Sequence, residues 1–518
     1  MTSFARLFRF RSWTSLLVLL CLLPFDVLVG LSLLLSDIFY LLLKPALGQR
    51  TKPKPPAASL EKASIVVLNW DGRHLLKEFL PSVVTAVRKD GRDHEILVVD
   101  NGSSDGSVEF LKAHFPDIRV VPLPRNLRFT GGNNAGIKAA HNDIVIFLNN
   151  DMQVDPDFIK PLLEGFSREE VFSVSCQVFF QDKERRREET GKTRARWNWG
   201  FVEPYHDQIL DSDRRKKYVP IFWGGGGSCA FDKRKIQEIG GLDTLYDPFY
   251  LEDTDLSYQA WKRGWKSLLA VDSVVVHRHR GTNKLKFGDN YVDNMIRKNQ
   301  YLFVWKNITA LPWTLQHIFL LPLTEARLIA QTTVSFEMKA FFRALIQLPE
   351  ALVKRQRSRK AYILDDPAIF QETALDCPER GDNYIDFSQS DFGDQLGEGW
   401  YSLESDGKKG FRWTTSQCSF YLFSQGGERV LELHGVIPEI SKYPRQRQKM
   451  TLYQNGKKIH KVSWSRSEEI ALRIPIEVGK PGRQAFELLL GHSFCPARLG
   501  NAEDRRKLGV IVTAVRLV

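Results

Sequence analysis

Cysteine is scarce in this sequence: six residues in 518, with no CxxC pair. That excludes a zinc ribbon and a disulfide-stapled secreted domain, and it suits a reducing compartment. The glycines follow no collagen-like period, and 43% hydrophobic residues exclude a disordered polymer. No nucleic-acid motif accompanies the net charge of +12. Residues 1–60 carry net +5 and residues 284–360 net +8, which leaves the remainder near −1. Both basic segments interleave their charge with Leu, Phe and Trp. That mixture suits an anionic membrane surface better than a DNA groove, so membrane is an expected partner and nucleic acid is not.

At about 150 residues per domain, the length suggests roughly three domains. Trp13 to Leu43 is almost wholly apolar, interrupted at Pro24–Asp26 and Ser36–Asp37. This exceeds the roughly 20 residues that a helix needs to cross a bilayer. Arg6, Arg9 and Arg11 precede it, and Lys44, Arg50, Lys52 and Lys54 follow it, so both ends favour the cytoplasmic side. A helical hairpin broken at Pro24 and a single tilted span are the two readings of residues 1–60 as a membrane anchor. A cleaved signal peptide is disfavoured, because no A-x-A site follows. The run TKPKPPAA at 51–58 is a stiff linker.

From 61 to 283 the pattern alternates between short β-branched runs and helical segments. SIVVL at 64–68, HEILVVD at 94–100, residues 118–121 and DIVIFL at 143–148 read as buried strands of an α/β, doubly wound sheet. Ligands of such sheets bind beyond the carboxyl ends of the strands. Asn69, Asp100, Asn101 and Asp151 fall at those ends.

The blocks IVVLNWDG, VVDNGSSDGS, NLRFTGGNNAGI, IVIFLNNDMQVDPDFI, GGGGSCAFDKRKIQEIGGLDTLYDPFYLEDTDLSYQAWKRGW and VVVHRHRG follow one another in order across 61–283. Together they resemble a family-2 glycosyltransferase, closest to the bacterial rhamnosyltransferase-like branch of surface polysaccharide synthesis. The resemblance implies a GT-A nucleotide-binding domain. It implies inverting transfer of a sugar from a nucleotide diphosphate donor, helped by Mn²⁺ or Mg²⁺. Asp151 matches the last Asp of the family's D-x-D and His277 the His after the last strand, which makes them the implied metal ligands. Asn149 stands where the motif's first Asp would be, one carboxylate fewer. By the same match Asp253 is the implied general base, with Glu252 beside it at a helix start. Acidic residues there also have an innocent role against the helix dipole.

On the donor side, Asp100 would bind the nucleobase, and Leu68 and Trp70 would line its pocket. Asn101, Gly132, Asn134, Asn149 and Asn150 complete the expected donor set. Arg128 reaches phosphate or is merely exposed. Gly131-Gly132 is not followed by GK[ST], so it is no P-loop. Lys183–Arg196 reads as a mobile loop. The Q-x-x-R-W motif of processive synthases is missing, since Gln259-Ala260-Trp261-Lys262-Arg263 does not fit. The resemblance therefore implies single additions to an acceptor, with a lipid-linked glycan accounting for the membrane signals. The alternative is a non-catalytic glycan-binding or scaffold protein that keeps the fold.

Residues 284–365 read as a basic arm of amphipathic helices, with Trp305, Lys306, Trp313 and Arg327 at a lipid interface. The run Lys354–Lys360 closes it. Residues 385–518 change to short alternating runs with an Asn455-Gly456 turn, the pattern of a β-sandwich accessory domain. The whole implies a location on the cytoplasmic face of the inner membrane.

Overall fold

The structure, a computed structural model, describes residues 13–47, 61–180, 191–207, 209, 211–277, 287–331 and 333–373. Farther on it describes 381–389, 392, 395–397, 399–407, 409–438, 447–477, 481–496 and 506–518. Two compact units emerge, 1–209 with 213–374, and 210–212 with 375–518.

The strands of the first unit are β1 (Ala63–Asn69), β2 (Glu95–Asp100), β3 (Arg119–Pro122), β4 (Ile144–Asn149), β5 (Met152–Val154), β6 (Val171–Phe180), β7 (Thr193–Asn198), β8 (Phe201–His206), β9 (Tyr218–Pro220), β10 (Ser228–Asp232) and β11 (Lys266–His277). The main sheet runs β3-β2-β1-β4-β10-β6-β11-β5, with β9 beside β11. Strands β1 to β4 are parallel, whereas β10 is antiparallel to both its neighbours, so the sheet is mixed. Residues of β1 alternate between two cores. Ile65 and Val67 enter one with Val98 and Ile146, and Val66 enters the other with Val99, Val145 and Phe147. A strand buried on both faces must be apolar throughout, which is why SIVVL lacks the usual polar alternation. The order reverses at β1, between β2 and β4, and that switch point opens the crevice.

The helices used below are α1 (Trp13–Leu47), α2 (Arg73–Asp90), α3 (Ser107–His114), α4 (Arg128–Ala139), α5 (Glu252–Lys262), α6 (Asp289–Asn307), α7 (Leu311–Gln331), α8 (Val334–Ile346) and α9 (Leu348–Arg359). Helix α1 runs through Pro24 without reversing, so the hairpin reading gives way to one continuous helix. Its Leu20–Leu43 stretch is long and apolar enough to cross a membrane. One stripe, Leu22, Asp26, Val29, Leu33 and Asp37, is buried, while Leu23, Val27, Leu31, Leu35 and Leu42 stay exposed. The spacing of the stripe is that of one helix face. Asp37 accepts bonds of 2.8 Å each from Nε and Nη2 of the fully buried Arg355, and one of 2.6 Å from Arg359.

The arm is not a separate piece: α6 to α9 belong to the first unit. The expected lipid-facing places of Trp305 and Lys306 are corrected. Trp305 is fully buried and donates to His317 at 3.1 Å. Lys306 is buried between Asp243 and Asp255, each at 2.7 Å. Burying an ammonium is tolerable only with such partners, so Asp255 on α5 and Asp243 ahead of it decided its place. Trp313 stacks on Trp197 with ring centroids 4.8 Å apart, and Arg327 lies 5.2 Å over the Trp199 ring. Part of the expected loop at 183–196 is strand, because 193–196 lie in β7 and Arg194 is buried. Residues 183–190 lie outside the described residues.

The second unit contains β12 (Tyr384–Asp386), β13 (Trp400–Ser405), β14 (Gly410–Thr414), β15 (Gln417–Ser424), β16 (Val430–Ile437), β17 (Gln448–Gln454), β18 (Lys457–Trp464), β19 (Glu468–Pro475), β20 (Gly482–Leu490) and β21 (Ile511–Leu517). One sheet runs β13-β14-β21-β16-β19 with β12 on β21, and the other β15-β20-β17-β18. Both feed one apolar core, including Phe420, Leu452 and Phe486 from one sheet and Leu433 and Val515 from the other. Asn455 and Gly456 take positive φ, 48° and 81°, as a two-residue hairpin turn requires.

Candidate active site

The half expected to bind the donor is built by register. Asn69 pairs with Asp100 across β1 and β2, and Leu68 with Asn149 across β1 and β4. Three strand ends thus deliver polar side chains to one crevice. Asn69 donates to Asp100 Oδ1 at 3.1 Å and accepts from Asn150 at 2.8 Å. Asp100 Oδ2 accepts the Ser103 backbone N–H at 3.0 Å. A carboxylate has about four lone-pair sites, so Asp100 keeps capacity for a donor base. Asn101 accepts the Leu127 N–H at 2.8 Å and donates to the Arg128 carbonyl at 3.0 Å, which fixes the start of α4. Leu68 and Trp70 are half-buried at the rim. A Cβ on Gly132 would lie 2.5 Å from Leu68 Cδ1 and 3.2 Å from Asn101 Nδ2, so only glycine lets α4 approach this closely.

Two expected donor residues have protein partners of their own. Asn134 spends its amide on Leu242, donating to the carbonyl and accepting from the N–H, both at 2.9 Å. These bonds pin the loop at Leu242 to α4. Arg128 is exposed, has a φ of 66° and contacts Asp247 at 3.4 Å.

Asp151 is buried, and its Oδ2 lies 3.2 Å from Nε2 of His277, half-buried at the end of β11. Among the described residues no group of three or more His, Cys, Asp or Glu side chains could hold a metal ion; His279 lies outside them. One carboxylate and one imidazole still fit a hard divalent cation that takes its remaining ligands from diphosphate oxygens and water.

Asp253 lies in the first turn of α5. Its Oδ2 accepts the Gly226 N–H at 3.1 Å and its Oδ1 the Thr254 N–H at 2.7 Å. The next glycine, Gly227, accepts the Asn149 N–H at 2.9 Å. The glycine run at 224–227 therefore connects the Asn149–Asp151 turn to Asp253 within two residues. A Cβ on Gly227 would lie 2.5 Å from the Asn149 side chain, so this passage is also tight. Burial pushes Asp253 above the usual carboxylate range. Burial, with Asp253 beside it, pushes Glu252 well above its ordinary value. Glu252 Oε2 is buried without a hydrogen-bond partner. Asp253 accepts two backbone N–H bonds, which favour its charged form and offset part of the burial effect.

The sequence reading missed what holds Asp253. Tyr250 and Leu251, just ahead of α5, both take left-handed φ, 70° and 72°. Two successive non-glycine residues there carry strain that the surroundings must maintain. Asn299 on α6 supplies the restraint. It is fully buried, with Nδ2 2.7, 3.1 and 2.9 Å from the carbonyls of Tyr246, Phe249 and Tyr250. Turning the amide over would set its oxygen against three carbonyls, so the NH₂ orientation is forced. Lys298 adds a 2.9 Å bond to the Asp247 carbonyl, and burial pushes its ammonium down to about 8. Lys306 and Asn307 tie Asp255 on α5 at 2.7 Å each. In the sequence these residues are indistinguishable from the other polar side chains of α6, about half of whose residues are Asp, Asn, Arg, Lys or Gln.

Residues 64–238 match the family model described as glycosyl transferase family 2. N-acetylglucosaminyl-diphospho-decaprenol L-rhamnosyltransferase of Mycobacterium tuberculosis is 25% identical over 239 residues, 41% of this chain and 75% of that protein. N-acetylgalactosaminyltransferase 6 of Drosophila melanogaster is 24% identical over 242 residues, 44% of this chain but 36% of that protein. The solved structure of GalNAc-T7 with UDP, GalNAc and Mn²⁺ covers 71% of this chain and 70% of its own, at 15% identity and a TM-score of 0.36. The class defined here is that of the glycosyltransferases, with an α/β sheet and a polar centre at its switch point. Residues 64–238 therefore match a glycosyltransferase family 2 domain, and the match is to that segment of the chain.

Proposed function

We propose that this protein is a membrane-associated, inverting glycosyltransferase. It moves a sugar from a nucleotide diphosphate donor to a lipid-linked glycan acceptor in cell-surface polysaccharide synthesis. The observation that carries the reading is the glycine run 224–227, which hydrogen-bonds to Asp253 on one side and to the Asn149–Asp151 turn on the other. An inverting transfer needs these two centres on one crevice: one for the departing diphosphate, one for the incoming hydroxyl.

Asp253 takes the acceptor hydroxyl's proton as that oxygen attacks the anomeric carbon. A raised pKa makes it a better base than a solvated carboxylate, and a general base typically contributes about 10²- to 10⁴-fold. Asp100, Leu68 and Trp70 hold the base of the donor. Asp151 and His277 would hold Mn²⁺ or Mg²⁺, which supplies charge neutralisation for the leaving diphosphate. The exposed apolar face of α1 supports residence at a bilayer, on the cytoplasmic face of the inner membrane where nucleotide sugars are available. The mycobacterial relative's name supports a polyprenyl-diphosphate acceptor.

The test is hydrolysis of a panel of nucleotide sugars, with and without Mn²⁺. Wild type should hydrolyse at least one donor and Asp253→Asn should not. Nucleotide sugars that bind but are never turned over would support the non-catalytic scaffold instead.

A further inference from the structure

Outside α1, the described residues expose four large aromatic side chains: Tyr250, Phe287, Tyr291 and Phe319. Three of them meet in one patch. Phe249, itself buried, has its ring centroid 5.3 Å from Tyr250, 5.7 Å from Phe287 and 6.3 Å from Tyr291. Phe287 and Tyr291 lie 6.1 Å apart. Their exposures are 38% for Tyr250, 44% for Phe287 and 39% for Tyr291. Scattered apolar residues on a surface need no explanation, whereas three exposed rings gathered round Phe249 offer a contiguous face on which a ligand can pack.

Its position and charge indicate the occupant. Tyr250 is three residues ahead of Asp253, on the strained turn that Asn299 holds. Strain kept at Tyr250 by a dedicated buried side chain fixes the ring relative to the base. The Arg343 guanidinium lies 5.7 Å over the Tyr291 ring and donates to the neutral Asn294 amide, not to a carboxylate. It is a planar cation at the patch rim that matches phosphate geometry. A pyranose offers an apolar C–H face that packs on the negative face of an aromatic ring. Aromatic rings with a guanidinium at the rim therefore fit a sugar joined to a diphosphate. Tyr250 lies on the turn that leads into α5 and Asp253, so this surface belongs to the base's side.

We infer that Tyr250, Phe287 and Tyr291 form the platform for the acceptor's sugar ring, with Arg343 receiving its diphosphate. This rests on the glycosyltransferase reading above and names that reaction's acceptor subsite.

The test is equilibrium binding of N-acetylglucosaminyl diphospho-farnesol and of farnesyl diphosphate, which lacks the sugar, to the full chain. Tyr291→Ala and Phe287→Ala should each weaken the first probe about tenfold and leave the second unchanged, while Tyr291→Phe and Phe287→Tyr keep wild-type affinity. Arg343→Gln should weaken both probes. Alanine variants that bind the glycosylated probe as wild type does would overturn the platform, as would a wild type that binds neither probe. So would alanine variants that lose nucleotide sugar instead, since the rings would then serve the donor. Donor hydrolysis by the wild type judges the underlying reading separately: its absence defeats that reading, whereas the binding results decide the platform.

Discussion

Asn69, Asp100 and Asn149 owe their positions to backbone register, whereas Asp253 owes its position to side chains from a helix far along the chain. The first half is held by parallel ladders that fix every strand end at once. The second hangs on a left-handed turn, three carbonyls around Asn299 and a pair of ion contacts at Lys306. A site assembled this way couples the placement of Asp253 to α6, so the arm helps to build the candidate site.

The contrast can be broken at several points. The largest effect is expected for Asp253→Asn, which should lower kcat about 10³-fold while nucleotide affinity persists. Steady-state kinetics and nucleotide titration check this, and a loss below tenfold would remove Asp253 as base. Asp37→Ala leaves the fully buried Arg355 without its carboxylate and should cost about 3–5 kcal/mol in chemical denaturation. Asn299→Leu should lower kcat about 10²-fold with donor KM intact, because a displaced base misaligns without touching the register-built half. If donor KM rises equally, the two halves are not independent. Gly132→Ala attacks the other half: crowding Leu68 should cost about 1–3 kcal/mol and weaken donor binding, with kcat less affected.

The smallest expected effect is on pH dependence. Glu252 has a raised folded-state pKa, so the folded state binds more protons than the unfolded one. Its contribution is complete below the unfolded-state pKa and is lost as pH rises through the folded-state value. Glu252→Gln should therefore flatten the decline in stability from acid towards neutral pH, read by melts across that range. The opposite slope would show that Glu252 is ionised.

Much of the donor half was legible because it is local. SIVVL and HEILVVD are apolar throughout, and the polar residues that end them fall in the crevice. Asn134 and Arg128 show the limit: both sit in the same glycine-rich block, yet Asn134 reaches across to Leu242 and Arg128 meets Asp247. The arm was misread for a related reason. Trp305 and Lys306 have the composition of a lipid interface, and only their partners, His317 on the next helix and the distant Asp243 and Asp255, show that they are interior.

By itself the sequence determined the alternation of strands and helices, the positions of the strand-end carboxylates and amides, and the apolar length of α1. Periodicity and turn chemistry act within a few residues, and those features need nothing more. The tertiary structure alone decided which acids neutralise the arm's buried cations, which amide restrains the turn before Asp253, and which face of α1 stays bare. Each of those depends on partners tens to hundreds of residues away. The free energy of a buried charge or an unpaired carbonyl is set by what finally packs against it.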